Sequence, residues 1–212
     1  MLTIIEQFLD GSLDIKPFMK MVREDRVLQD SIRALMPKEA IRNRDYPLWT
    51  KVSYEAYEKC NFDCLEYLFK ICRFDGSFGD NLNCFSILKN VYSFVNPELP
   101  FTERYEKEFM FYLDVVQDCY DGPEVREVTR EILRELVDVK PKSKRNAMAK
   151  QRIKDIFHVE RNNRPRWIQG AEWPMGQTSP MRFIKRIRSG EEVQFHFIDL
   201  STGKTKVVRQ FY

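Results

Sequence analysis

The chain has 212 residues, of which 43% are hydrophobic and 13% aromatic, with 8 Gly and 10 Pro. That composition excludes a disordered, collagenous or low-complexity protein, and the length can bury a core without disulfides or structural metal. The net charge of +3 hides a division: residues 1–139 carry 18 basic and 26 acidic side chains, net −8, whereas residues 140–212 carry 17 basic and 6 acidic, net +11.

Helical periodicity runs through the first part of the chain. Leu2, Ile5, Phe8 and Leu9 form an apolar stripe that Gly11 ends. Ser12 or Asp14 can cap a second helix containing Phe18, Met19, Met21 and Val22. Asp25 or its neighbours can start a third, with Val27, Leu28, Ile32, Leu35 and Met36 inward and Pro37 as the stop. Lys38–Pro47 is polar and turn-rich. A longer helical stretch is expected from Trp49 to Arg73, with Val52, Tyr57, Leu65, Leu68 and Phe69 as apolar positions and a break at Asn61. Phe74–Gly79 reads as a loop from its two glycines. Leu82–Phe94 reads as helix, closed by Asn96-Pro97, and Thr102–Tyr120 as another, with Thr102 as cap. Asp121-Gly122-Pro123 is a turn, and Val125–Val139 is a strongly periodic helix.

The pattern then changes. Lys140–Arg145 reads as a basic hinge, and Ala147–Val159 as one more helix. Beyond Arg161 the period switches to two. Met181, Phe183 and Ile187 alternate with Arg182, Arg186 and Arg188. Val193, Phe195 and Phe197 alternate with Gln194 and His196, and Val207, Val208 and Phe211 lie in a last strand. Turns at Ser189-Gly190 and Ser201–Lys204 join them. The expected fold is therefore α+β: an acidic helical body over 1–139, then 140–212 as a basic helix plus a small three-stranded antiparallel β-meander packed on it, integrated into one domain.

The chain start, MLTIIEQFLDG, lacks the features of a signal peptide, and no window approaches the roughly 18 apolar residues of a membrane span. A cytoplasmic location without a membrane partner is expected. Five cysteines, an odd and scattered number, do not form a disulfide framework. Cys60, Cys64 and Cys72 share a helix face and read as buried apolar side chains rather than as a metal site, because zinc favours CxxC pairs or nearby histidines.

None of the common nucleotide-binding, metalloprotease, hydrolase or calcium-loop motifs is present. The sequence therefore predicts a non-catalytic protein with no cofactor and no metal. Carboxylate pairs at helical spacing (Glu103/Glu106, Asp114/Asp118, Glu127/Glu131, Glu131/Glu135) could support acid–base chemistry or a divalent ion. On amphipathic helices they read more plainly as solvated faces. Collectively, Glu103, Glu106, Asp114, Asp118 and Asp121 make an acidic surface that would attract a basic protein partner. In the other direction, the basic segment 140–166, with Lys144, Arg145, Lys150 and Lys154, offers a nucleic-acid interface, or it docks on the acidic helices of its own chain.

The most distinctive string is Pro165–Pro174, PRWIQGAEWP. Trp167 and Trp173 can plug the gap between helices and sheet, or can anchor a partner together with Glu172. Gln169 and Glu172 can tie the loop down by hydrogen bonds. Trp167, Ile168, Gln169, Glu172, Trp173 and Pro174, followed by Pro180, Met181 and Phe183, resemble the C-terminal W-I-Q-x-x-E-W-P module of bacterial proteins that are candidate immunity proteins of toxin–immunity systems. The resemblance covers about 50 of the 212 residues. It implies a small cytoplasmic inhibitor that blocks a toxin or enzyme domain, here through the acidic surface and against a basic target such as a nuclease.

Overall fold

In a computed structural model of the chain, residues 3–35, 59–60, 63–116, 119–160 and 163–212 are described. Eight helices and one antiparallel sheet occupy them: α1 Ile4–Asp10, α2 Ile15–Glu24, α3 Arg26–Arg33, α4 Cys64–Ile71, α5 Phe78–Tyr92, α6 Arg104–Phe111, α7 Arg126–Leu136, α8 Lys142–Ile156, then β1 Arg182–Ser189, β2 Glu192–Ile198 and β3 Thr205–Phe211. This is the α+β fold that the change of period predicts. A π-helical turn, Tyr112–Val116, continues α6.

Each of α1 to α5 begins on a side chain that accepts a backbone N–H. Thr3 and Glu6 form a reciprocal capping box, and Asp14, Asp25, Asp63 and Ser77 open the next four helices. Of the two caps that the sequence allows for α2, Asp14 is the one used. Asp63 starts α4, which supplies the described helix of the Trp49–Arg73 stretch; Val52, Tyr57 and the Asn61 break lie outside the described residues, as do Met36 and Pro37, and Val27, expected inward, is exposed. Ser77 moves the start of α5 forward: Phe78 and Gly79, expected in a loop, form its first turn. Gly79 is tolerated there because Phe78 is buried and anchors the turn. The Thr102 hydroxyl, two residues ahead of α6, accepts the Arg104 N–H at 3.3 Å.

Contacts divide the chain into two compact units, Met1–Phe109 and Met110–Tyr212. The core of the first joins Phe8, Phe18, Phe85, Leu88, Tyr105 and the buried Cys60, Cys64, Cys72 and Cys84. Phe8 stacks on Phe18 with centroids 4.2 Å apart. The core of the second joins Val116, Tyr120, Ile132, Ala149, Ile153 and Phe157 from the helical side to Phe183, Val193, Phe195 and Phe197 from the sheet. The expected boundary at 139/140 marks a change of charge but not of packing, because α7 and α8 bury their apolar faces in one core with the sheet.

Two further expectations are corrected. Lys140–Arg145 is not a hinge: α8 starts at Lys142, held there by an ion pair from Lys142 to Asp114 at 2.8 Å. Ile187 does not share a face with Phe183. Phe183 pairs with Phe197 and Lys185 with His196, so Ile184 is an extra residue in a β-bulge. Beyond it every side chain of β1 changes side. Arg186 and Arg188 join the phenylalanine side, and Lys185 and Ile187 go to the outer face.

Candidate functional site

The tryptophan string is a structural clasp. Trp173 is 1% exposed. Its ring meets Phe157 at 5.0 Å, Phe197 at 5.5 Å and Tyr120 at 5.6 Å, and its Nε1 donates to the Met181 carbonyl at 2.8 Å. Trp167 lies 4.7 Å from Phe195 and donates to the Cys119 carbonyl at 3.1 Å. Both rings therefore pack in the space between helices and sheet, Trp173 fully buried and Trp167 partly so. A buried indole satisfies its N–H in this way when it serves as core.

The polar residues of the string complete the clasp. The Gln169 amide donates to the Phe211 carbonyl at 3.0 Å. Glu172 accepts from Gln210 at 3.1 Å. Gln210, fully buried in β3, also accepts the N–H groups of Ile168 and Gln169 and donates to the Gly170 carbonyl. No local pattern in the sequence singles out Gln210, since its partners lie some forty positions away. Asp121 holds the other side: its carbonyl accepts the Trp173 N–H at 2.9 Å. Here the backbone approach is so close that a Cβ on Gly122 would lie 2.7 Å from the Trp173 nitrogen.

Asp199 is a second organising residue that motif reasoning missed. It is 5% exposed and accepts four hydrogen bonds, from the Ser201 N–H and hydroxyl, the Thr202 hydroxyl and the Gln177 N–H. Those bonds, the Ser201 hydroxyl first, hold its carboxyl well below the ordinary aspartate range. A Cβ on Gly176 would meet the Asp199 carboxyl carbon at 2.8 Å, so the 175–180 loop can close on the β2–β3 turn only with glycine there. The signal was present as Asp followed by Ser and Thr, the pattern of an Asx turn.

The acidic candidates do not form one open surface. Asp114 accepts from Lys142 at 2.8 Å and Asn146 at 3.1 Å, and Lys142 chiefly lowers its pKa. Asp121 accepts from the Gly122 N–H and from Arg126, with both charged side chains largely covered. Asp118 lies outside the described residues. Glu103 and Glu106 are exposed, and Glu103 pairs with Lys107 at 2.7 Å, which lowers its pKa. Glu127 accepts from both Arg130 and Arg134, so that part of the acidic run is internally balanced.

The basic residues divide in two. Lys142 and Arg152 dock on Asp114 and Glu135, at 2.8 and 3.6 Å. Arg145 is half-buried. Lys144, Lys150 and Lys154 are exposed on the outward side of α8, opposite the buried Ala149 and Ile153, and make no ion pair among the described residues.

The meander supplies a mixed apolar and charged surface in the second unit. Its outer face carries Lys185 and Ile187 from β1, Gln194, His196 and Ile198 from β2, and Thr205, Val207, Arg209 and Phe211 from β3. Ile187, Val207 and Phe211 are 40%, 39% and 53% exposed. Glu192 is the acid of this face, and it pairs with Arg209 at 3.4 Å. His196 lies between Lys185 and Val207, on the side away from the phenylalanines, and its Nε2 has no hydrogen-bond partner among the described residues.

Among the described residues no cluster of three His, Cys, Asp or Glu side chains is arranged to hold a metal, and no helix is long and apolar enough to cross a membrane. Comparison with protein-family profiles, with curated proteins and with solved structures finds no significant match for this chain.

Proposed function

We propose that the chain is a non-catalytic protein-binding module, an inhibitor of the immunity type, and that it meets its partner through the outer face of the β-meander. The observation that carries this reading is the exposure of Ile187, Val207 and Phe211 on one sheet face, interspersed with Lys185 and Arg209. Exposed apolar groups gathered on one face and rimmed by charge are typical of protein interfaces. The excess of cations on that face suits an acidic partner. This reverses the sign expected from the sequence, because Asp114 and Asp121 are engaged within the chain. The likeness of the tryptophan string to candidate immunity proteins supports the same class of function. Five free cysteines fit a reducing compartment, and hence a cytoplasmic inhibitor.

Crosslinking capture in the native cell, followed by charge-reversal variants, tests the proposal. Ile187→Asp combined with Val207→Asp should abolish capture of the partner while the circular dichroism spectrum stays unchanged. Loss of capture in Glu103→Lys with Glu106→Lys, and not in the sheet variant, would sink the sheet-face reading in favour of an acidic interface.

The exposed Lys144, Lys150 and Lys154 support a second reading, binding of nucleic acid along α8. Its mark would be steep salt dependence. Replacing the three lysines with glutamine should flatten the slope of log K against log salt by about 2.7. Binding that is absent, or indifferent to salt, removes this reading.

A further inference from the structure

β1 is an edge strand, paired with β2 on one side only. The direction of its main-chain groups follows from one bond. The Tyr212 N–H donates to the Glu191 carbonyl at 3.1 Å. In antiparallel ladders the bonded pairs alternate, so Val193, Phe195 and Phe197 bond towards β3, and Glu192, Gln194, His196 and Ile198 towards β1. Phe183, Arg186 and Arg188 stand opposite Phe197, Phe195 and Val193, and their own main-chain groups therefore point out of the sheet. Two side chains agree with this alternation. Asn163 donates to the outward Phe183 carbonyl at 3.2 Å, and Gln169 to the outward Phe211 carbonyl of β3. Beyond the bulge, the outward N–H and C=O groups of Arg186 and Arg188 have no partner among the described residues, and every residue from Ile184 to Ser189 is exposed.

Charge distinguishes this edge from β3. On β3, Lys206 and Arg209 pair with Glu124 and Glu192. On β1, Arg182 reaches Glu160, but Lys185, Arg186 and Arg188 make no ion pair among the described residues. Tyr212 holds the two arginines in place: Arg186 donates to its hydroxyl at 3.1 Å, and the Arg188 guanidinium lies 4.5 Å from its ring centroid. A guanidinium has five N–H donors, so both keep donors for a carboxylate. A second copy of β1 laid on this edge would set these cations against one another. An acidic strand would not. Its alternate side chains would meet Arg186 and Arg188 on one face and the 40% exposed Ile187 on the other.

We propose, resting on the sheet-face reading, that the open edge of β1 receives an acidic extended segment of the partner as an added strand. Its main chain bonds to Arg186 and Arg188, its carboxylates face their guanidinium groups, and its apolar side chains lie beside Ile187.

The probe is a peptide alternating Glu and Val, about seven residues long and blocked at both ends, added to the full chain labelled with ¹⁵N. It should bind saturably and slow hydrogen exchange at the Arg186 and Arg188 amides, and its Lys–Val counterpart should bind at least about tenfold more weakly. Arg188→Gln keeps the N–H but loses the charge, and should weaken the peptide by about threefold. Arg188→Pro also removes an N–H that no ladder bond uses, and should weaken it by about tenfold or more. Absence of saturable binding, equal binding of the Lys–Val peptide, unchanged exchange at the two amides, or full affinity in Arg188→Gln would each overturn the proposal. Capture of the native partner separates it from the sheet-face reading. Capture lost in Ile187→Asp with Val207→Asp but intact in Arg188→Pro overturns strand addition and leaves the sheet face standing.

Discussion

The two units start their helices in different ways. In the first, α1 to α5 each open on a local side-chain cap. In the second, α7 opens at Val125 and α8 at Pro141, with no side-chain cap bond among the described residues. The second unit compensates with long-range contacts. Trp173 bridges Phe157 and Phe197, Asp121 holds the Trp173 backbone, and Lys142 pairs with Asp114. Local caps specify where a helix begins independently of the rest of the chain. Tertiary contacts specify it only once the core has formed.

This contrast can be broken by experiment. Trp173→Ala should be the most damaging change, costing about 3–5 kcal/mol as expected for a large buried aromatic. Hydrogen exchange should show the loss in α7, α8 and the sheet; a loss concentrated in α1 to α5 would contradict the comparison. Gly122→Ala should cost about 1–3 kcal/mol, since its new methyl would press on the Trp173 backbone. Urea denaturation would measure it, and a neutral result would show that the clasp is looser than its geometry. In the first unit, Asp25→Ala removes the acceptor of the Val27 and Leu28 N–H groups and should cost about 1 kcal/mol. Its effect should be confined to the start of α3.

The smallest effect concerns the docking of α8. Lys142→Gln should cost roughly 0.5 kcal/mol at neutral pH, because the lysine of the pair is more than half exposed. The pair lowers the folded-state pKa of Asp114. Its contribution is therefore complete above the unfolded pKa of about 3.9 and fades as pH falls through the lower folded value. Wild type and variant should converge in thermal melts on acidification; a gap that widens towards acid would show that Asp114 is not the partner that matters.

The sequence read most accurately where the cause was local. Asp14 and Asp25 are short-range signals, and the turns at Gly190 and Gly203 separated three strands correctly. Ser77 was the same kind of signal, obscured because Gly76 and Gly79 on either side of it read as loop. The basic start of α8 misled for the opposite reason. Four cations in six residues resemble a solvated linker until Asp114 is brought alongside.

The candidate site was less legible than the fold. Charge arithmetic located an acidic excess, but a carboxylate is available to a partner only if its own chain leaves it free, and Asp114 and Asp121 are engaged. The outer sheet face was misassigned because one bulge at Ile184 moves Ile187 outward and Arg186 inward, and a bulge is set by pairing with β2 rather than by β1 alone.

By itself the sequence determined the elements, their order and the α+β class, because periodicity, caps and turn residues act within a few positions of the chain. The tertiary structure decided which charges cancel, which face of β1 is open, and that Trp173 is core with Trp167 packed against it. Each of those depends on groups far apart in sequence, brought within a few ångströms only by the folded core.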